Sequence, residues 1–169
     1  MSVRVAGVVG LVLALGCSGL TEKATEMAAE QVIEHAANTE GKDVDVDLSG
    51  ASGTVKTDEG TVQFGEGTQV PADWPADVPV YPGATVQAAM TMESGGVPGH
   101  TLSLMTNDPV NKVAEFYRGK LSGLNLVADV KPDANSVSLM YQRADGKGSV
   151  MVSIVAAGGP TMVSLTATR

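Results

Sequence analysis

The feature that most constrains this chain is a strict two-residue alternation that dominates its last third. Val137-Ser-Leu-Met-Tyr-Gln142, Ser149-Val-Met-Val-Ser-Ile-Val155 and Thr161-Met-Val-Ser-Leu-Thr-Ala-Thr168 each repeat an apolar residue at every second position. Successive side chains of a strand point to opposite faces, so this period means strands with one buried face. Turn-forming breaks at Lys131–Ser136, Ala144–Gly148 and Ala156–Pro160 separate them at hairpin spacing. Leu124–Val130 reads as a further strand. Upstream, Ala84–Met92 alternates with Val86, Ala88, Met90 and Met92 on one side, and His100–Thr106 places His100, Leu102 and Leu104 together across a Gly/Pro loop at Glu93–Gly99.

One helical period interrupts the strands. Val110, Val113, Ala114, Tyr117 and Leu121 fall at i, i+3, i+4, i+7 and i+11, the stripe of an amphipathic helix. Asp108 reads as its N-cap and Pro109 as its first residue, with Gly123 and Leu124 forming a Schellman stop. Hydrophobic content of 43% with only 4% aromatics means a core of Val, Leu, Ile, Met and Ala.

Parity divides the strands into two sets. If Val86, Leu102, Leu104, Val137, Leu139, Tyr141, Val150, Val152, Ile154, Val163 and Leu165 face the helix, then Met105, Met140, Met151 and Met162 lie on the second face. They are interleaved there with Thr101, Ser103, Ser138, Ser149, Ser153, Ser164 and Thr166. Three readings of that face are open: it is covered by an N-terminal layer, it is a plain solvated sheet, or it is a binding surface, for which adaptable Met is well suited. A copper site of thioethers would want a supporting His or Cys cluster, which the pattern lacks.

The N-terminal half differs in kind. Arg4 precedes an apolar run from Val5 to Leu15, too short to span a bilayer and of the length of a signal-peptide core. Gly16 then abuts Cys17, the single cysteine, in the manner of the lipobox at which bacterial lipoproteins are lipidated and cleaved; Ala14 and Leu15 hold their places in swapped order. A cleaved secretory signal with a free thiol and an uncleaved anchor are the competing readings. One cysteine makes no internal disulfide, and lipidation would remove an exposed thiol. Glu22–Asn38 reads as a helix capped by Thr21, with Ala24, Met27, Ala28, Ile33, Ala36 and Ala37 on one face and Glu22, Glu26, Glu30 and Glu34 along another. Its stripe is thin, as in a spacer.

Asp43–Leu48, Thr54–Thr57 and Thr61–Phe64 read as a three-stranded meander with Val44, Val46, Leu48, Val55, Val62 and Phe64 on its buried side. Asp43, Asp45 and Asp47 are spaced as strand carboxylates, without the turn glycine and closing Glu of a calcium loop. Pro71, Pro75, Pro79 and Pro82 then impose an extended, polyproline-like connector carrying Trp74 and Tyr81. Two readings follow: a connector held to the next domain by these rings, or an exposed recognition segment.

Pro75-Ala-Asp-Val-Pro-Val-Tyr-Pro-Gly-Ala84, Asn107-Asp-Pro-Val-Asn-Lys-Val-Ala-Glu-Phe-Tyr117 and Lys120-Leu-Ser-Gly-Leu-Asn125 together resemble a family of small bacterial lipoproteins and secreted proteins. The likeness extends upstream through the acidic helix and the meander. It implies a shared fold and carries no established activity.

The search for chemistry is negative. His35 and His100 lie on unrelated elements, no zinc spacing exists, and Gly60…Gly65-Glu-Gly67 lacks the Lys-Ser/Thr of a phosphate loop. Residues 20–80 carry thirteen acids and three bases, against six and seven over residues 81–169, so no basic patch suits nucleic acid. The expectation is an α+β fold: an antiparallel β-sheet of about five or six strands packed on one helix, preceded by an N-terminal helix and a small β-meander. Its segments are a signal peptide (1–16), a tether with acidic helix (17–41), the meander (42–70), a Pro-rich connector (71–83) and the α+β domain (84–169). Functionally, the expectation is a non-enzymatic lipoprotein of the bacterial cell envelope acting as a binding or structural module, on the periplasmic side of the outer membrane in a Gram-negative cell. It would be attached to the membrane through lipid on Cys17, without cofactor or metal. The alternative is an accessory subunit or inhibitor docking an envelope protein through Trp74 and Tyr81 or through Met105, Met140, Met151 and Met162.

Overall fold

The computed structural model describes residues 44–49, 51–94, 97–156 and 158–168. The expected signal peptide (1–16), Cys17, His35 and the acidic helix expected at Glu22–Asn38 lie outside the described residues. Within them the chain forms β1 (Val44–Ser49), β2 (Ser52–Thr57), β3 (Gly60–Phe64), β4 (Thr85–Ser94), β5 (Val97–Thr106), α1 (Val110–Lys120), β6 (Asn125–Asp133), β7 (Ser136–Gln142), β8 (Ser149–Ala156) and β9 (Thr161–Thr168). All nine strands join one antiparallel sheet in the order β1-β2-β3-β4-β5-β9-β8-β7-β6.

This corrects the expected α+β fold. The architecture is mostly β, one nine-stranded sheet with a single short helix among the described residues, in place of five or six strands preceded by a separate meander. The proline run suggested a boundary, but β3 pairs directly with β4, Val62 opposite Met90 and Phe64 opposite Ala88. The reason is the cost of an edge. A strand that ends a sheet leaves a row of backbone N–H and C=O groups without partners, and joining β3 to β4 removes two such edges.

α1 packs on β7 and β8. Its stripe is completely enclosed: Val113, Ala114 and Tyr117 are 0% exposed and Leu121 is 1%. Beneath it Leu102, Leu104, Leu139, Val150, Val152, Ile154, Val163 and Leu165 form the core. The capping differs from expectation. Pro109 occupies the cap position with no side-chain cap hydrogen bond, and Leu121 closes the helix by donating its N–H to the Tyr117 carbonyl, without a left-handed Gly123. Asp108 is instead committed to tertiary partners. Its Oδ2 accepts from the Tyr81 hydroxyl at 2.7 Å and its Oδ1 from Lys112 Nζ at 2.9 Å.

A bulge sets the side-chain parity of β4. Val86 pairs with Leu104 and Ala88 with Ser103, leaving Gln87 as the extra residue. Val86 therefore packs against the core, while Ala88, Met90 and Met92 face the other way. The expected single-sided set is split, and Ala89, at 2% exposed, supplies the core residue that uninterrupted alternation would not place there. The Gln87 carbonyl accepts from Gly65 N at 2.9 Å, so the bulge also ties down the chain leaving β3. Gly65 is required there: its φ is +89°, and a Cβ would sit 2.4 Å from the Ala51 carbonyl oxygen.

Candidate functional site

The proline segment runs as successive tight turns, not as the extended path expected from its composition. Trp74 N–H donates to the Pro71 carbonyl, Val78 N–H to that of Pro75, and Ala84 N–H to that of Tyr81. Proline pre-sets the backbone angle of such turns as readily as that of an extended helix. Three side chains, those of Trp74, Asp77 and Tyr81, brace the segment internally and against β5, the end of β7 and α1. Trp74 Nε1 donates to the Val78 carbonyl at 2.7 Å, and the indole meets the His100 ring edge-on at 6.1 Å. Asp77 pairs with Arg143, whose Nε donates to the Thr168 carbonyl. Tyr81 packs between Phe116 and Tyr117, with its hydroxyl on Asp108. Burial, then the Asp108 hydrogen bond and charge, push the Tyr81 phenol up to about 12. Trp74 is half-buried and Tyr81 is 5% exposed, so both rings serve the interior.

His100 is the one buried imidazole among the described residues. Its Nδ1 lies 3.4 Å from Thr91 Oγ1 and 3.9 Å from Asp73 Oδ2. Both neighbours approach the same ring nitrogen. A base that activates a nucleophile needs the nucleophile on one nitrogen and its orienting partner on the other, so this is a packing arrangement rather than a relay. Beside it an open depression of about 260 Å³ is lined by Thr61, Gln63, Pro71, Asp73, Ala89 and Thr91. A second, of about 350 Å³, lies against the β1–β3 hairpins between Asp47, Thr54, Gln63 and Glu66. The polar groups of their linings are hydroxyls, amides and carboxylates. No group of three His, Cys, Asp or Glu suited to a metal exists among the described residues, and no described helix is long and apolar enough to cross a membrane.

The remaining candidate is the sheet face opposite α1. Strand pairing places residues of one row on one face. A row runs Val46–Val55–Val62–Met90–Thr101–Thr166–Met151–Met140–Ala128 across all nine strands. The next contains Phe64, Ala88, Ser103, Ser164, Ser153, Ser138 and Val130, and a third contains Thr85, Met105, Met162, Val155 and Ser136. Met140, Met151 and Met162 are 42%, 39% and 51% exposed, and Met105, paired with Met162, is partly covered. The four methionines thus share a face with Val130 and Val155, both exposed as well. The meander's apolar set, Val46, Val55, Val62 and Phe64, continues the same rows, but Val46 is only 5% exposed and the other three are half-buried.

Among the described strand residues on this face, Asp133 is the only charged one, and it sits at the rim, where its carboxylate accepts from Asn135 N–H. The charges lie on the other side. Asp45, Asp47 and Lys56 pair into rows leading to His100 and Leu102, and Asp129 holds Arg118 of the helix at 2.7 and 2.9 Å. The signal was present in the strand parity, but it emerges only when all nine strands are put in register.

A family model described as START domain-like matches residues 86–164, which run from β4 into β9 and include α1. No curated protein and no solved structure matches the chain.

Proposed function

We propose that this protein is a non-catalytic binding module held at the bacterial cell envelope by lipid on Cys17, with the open sheet face as its binding surface. The observation that carries the reading is that face: broad, regular, rich in Met, Val and hydroxyls, and free of charge except at one rim position among the described residues. Solvated sheet faces ordinarily alternate toward charged and polar residues, because nothing offsets the exposure of apolar area. Similarity to START domain-like proteins supports ligand binding in general terms. The anchor rests on the Gly16-Cys17 sequence and on the likeness to small bacterial lipoproteins. The alternative role, an accessory subunit or inhibitor docking an envelope protein, draws on the same methionine face. In the proline segment Tyr81 is 5% exposed and Trp74 half-buried, so the methionine face is the better supported docking surface for that role.

Two measurements test this. Cys17→Ser is expected to move the protein from the membrane to the soluble fraction with its melting temperature unchanged; continued sedimentation with membranes would refute the anchor. Met151→Glu is expected to abolish capture of the binding partner while leaving the fold intact. Equal capture by wild type and variant would dismiss the face as the binding surface.

A further inference from the structure

Resting on the reading of the open face as a binding surface, we infer that its occupant is a second copy of this chain, packed sheet on sheet about a two-fold axis. A two-fold contact sets a condition on the chemistry of its own surface. Such an interface brings one patch against itself, so each group must be compatible with its own kind or with a neighbour from the same patch. Carboxylates and ammonium groups fail that requirement unless both signs are present. Hydroxyls meet it, because each donates and accepts, and thioethers meet it because they are apolar and adaptable. The centre of the open face is built from those two groups. Ser103, Ser164, Ser153 and Ser138 form an unbroken hydroxyl row over β5, β9, β8 and β7. Met140–Met151 lies on one side of it and Met105–Met162 on the other.

Hydroxyls beside that row bond laterally. Thr101 and Thr166 Oγ1 lie 3.4 Å apart, and Ser149 Oγ lies 3.2 Å from Thr168 Oγ1. They can therefore enter a contact with part of their hydrogen bonding already met.

Charge and area favour the same occupant. The chain carries a net charge of −8, which opposes association of like copies unless the contact lies where the charge is absent. The open face is that place. Val46 of β1 is only 5% exposed, and the open part of the face spans β4–β9, six strands about 4.8 Å apart that give on the order of 800 Å². A stable pair of proteins needs about 800 Å² from each. Two such sheets would stack about 10 Å apart with strands about 30° from parallel, side chains interdigitating as in a sandwich.

The test uses two differently tagged full-length copies co-expressed in bacteria, each with Cys17→Ser so that shared micelles cannot join them. Wild-type copies are expected to co-purify through either tag and to show twice the protomer mass by light scattering. Met151→Glu with Met162→Glu is expected to give the protomer mass, a weakening of roughly 100-fold or more, because each charge would be buried without a partner. Circular dichroism confirms that this variant still folds, since both positions are exposed in the protomer. A wild-type particle of single-protomer mass overturns the inference. If that monomer instead binds a different protein and Met151→Glu abolishes the binding, self-association is wrong while the binding surface stands. If neither contact depends on these residues, both readings fall.

Discussion

Leu139 and Met140 are adjacent in sequence, yet Leu139 is 0% exposed under α1 and Met140 is 42% exposed on the far side of the same strand. The two faces of this sheet are made by alternate residues of the same strands and obey different rules. On the helix side the core residues pack on defined neighbours, and charges are either paired, as Arg118 with Asp129, or displaced to the margins. On the open side, apolar and hydroxyl groups are spread evenly, without a described element above them and almost without charge. A core must exclude polar groups that lack partners. An exposed face has no such obligation, and the scarcity of charge there is what the proposed binding role draws on.

The comparison can be broken by substitutions that treat the faces in parallel. Leu165→Ala, on the helix side, is expected to cost about 2–5 kcal/mol in urea unfolding, through lost burial and the cavity left behind. Its neighbour Thr166→Ala, on the open side, should stay within about 0.5 kcal/mol for the isolated protomer. Comparable losses at the two positions would mean that the faces are not energetically distinct. Gly65→Ala should cost more than about 1 kcal/mol, since it combines a left-handed backbone with a clash against the Ala51 carbonyl; a neutral result would show that the bulge at Gln87 does not depend on this turn. Tyr81→Phe keeps the ring packed on Phe116 and removes the bond to Asp108, for an expected loss of about 1 kcal/mol.

A smaller effect is expected from acid. The Arg118 guanidinium holds the Asp129 carboxyl below its ordinary value of 3.8, and hydrogen bonds from Lys112 and Tyr81 do the same for Asp108. Such carboxylates stabilise the native state above the ordinary value, and the contribution is lost as pH falls through the depressed native values. Arg118→Met should therefore flatten the decline of stability below about pH 4, read from unfolding curves at successive pH values. Parallel declines in variant and wild type would show that Arg118 and Asp129 do not contribute to the acid sensitivity.

Much of the helix side was legible in the sequence because short-range periodicity specifies it. The α1 stripe and the inward residues of β5 and β7–β9 are read from spacing alone. What was not legible depends on distant partners. The proline run resembles a boundary until β3 and β4 are seen to pair across it. Val86 and Ala88 look like one face until the bulge at Gln87 separates them. Asp108 looks like a helix cap, but Tyr81, far away in sequence, competes successfully for its carboxylate. The methionine set was visible from parity, whereas its continuation into Val46, Val55, Val62 and Phe64 required the register of the whole sheet.

The most direct measurement of the central claim is the rate at which Met140, Met151 and Met162 are oxidised by dilute peroxide, followed by mass spectrometry over a range of protein concentrations. If the open face binds a second copy, these methionines react rapidly at high dilution and become protected together as concentration rises. Rates that do not change with concentration would contradict it.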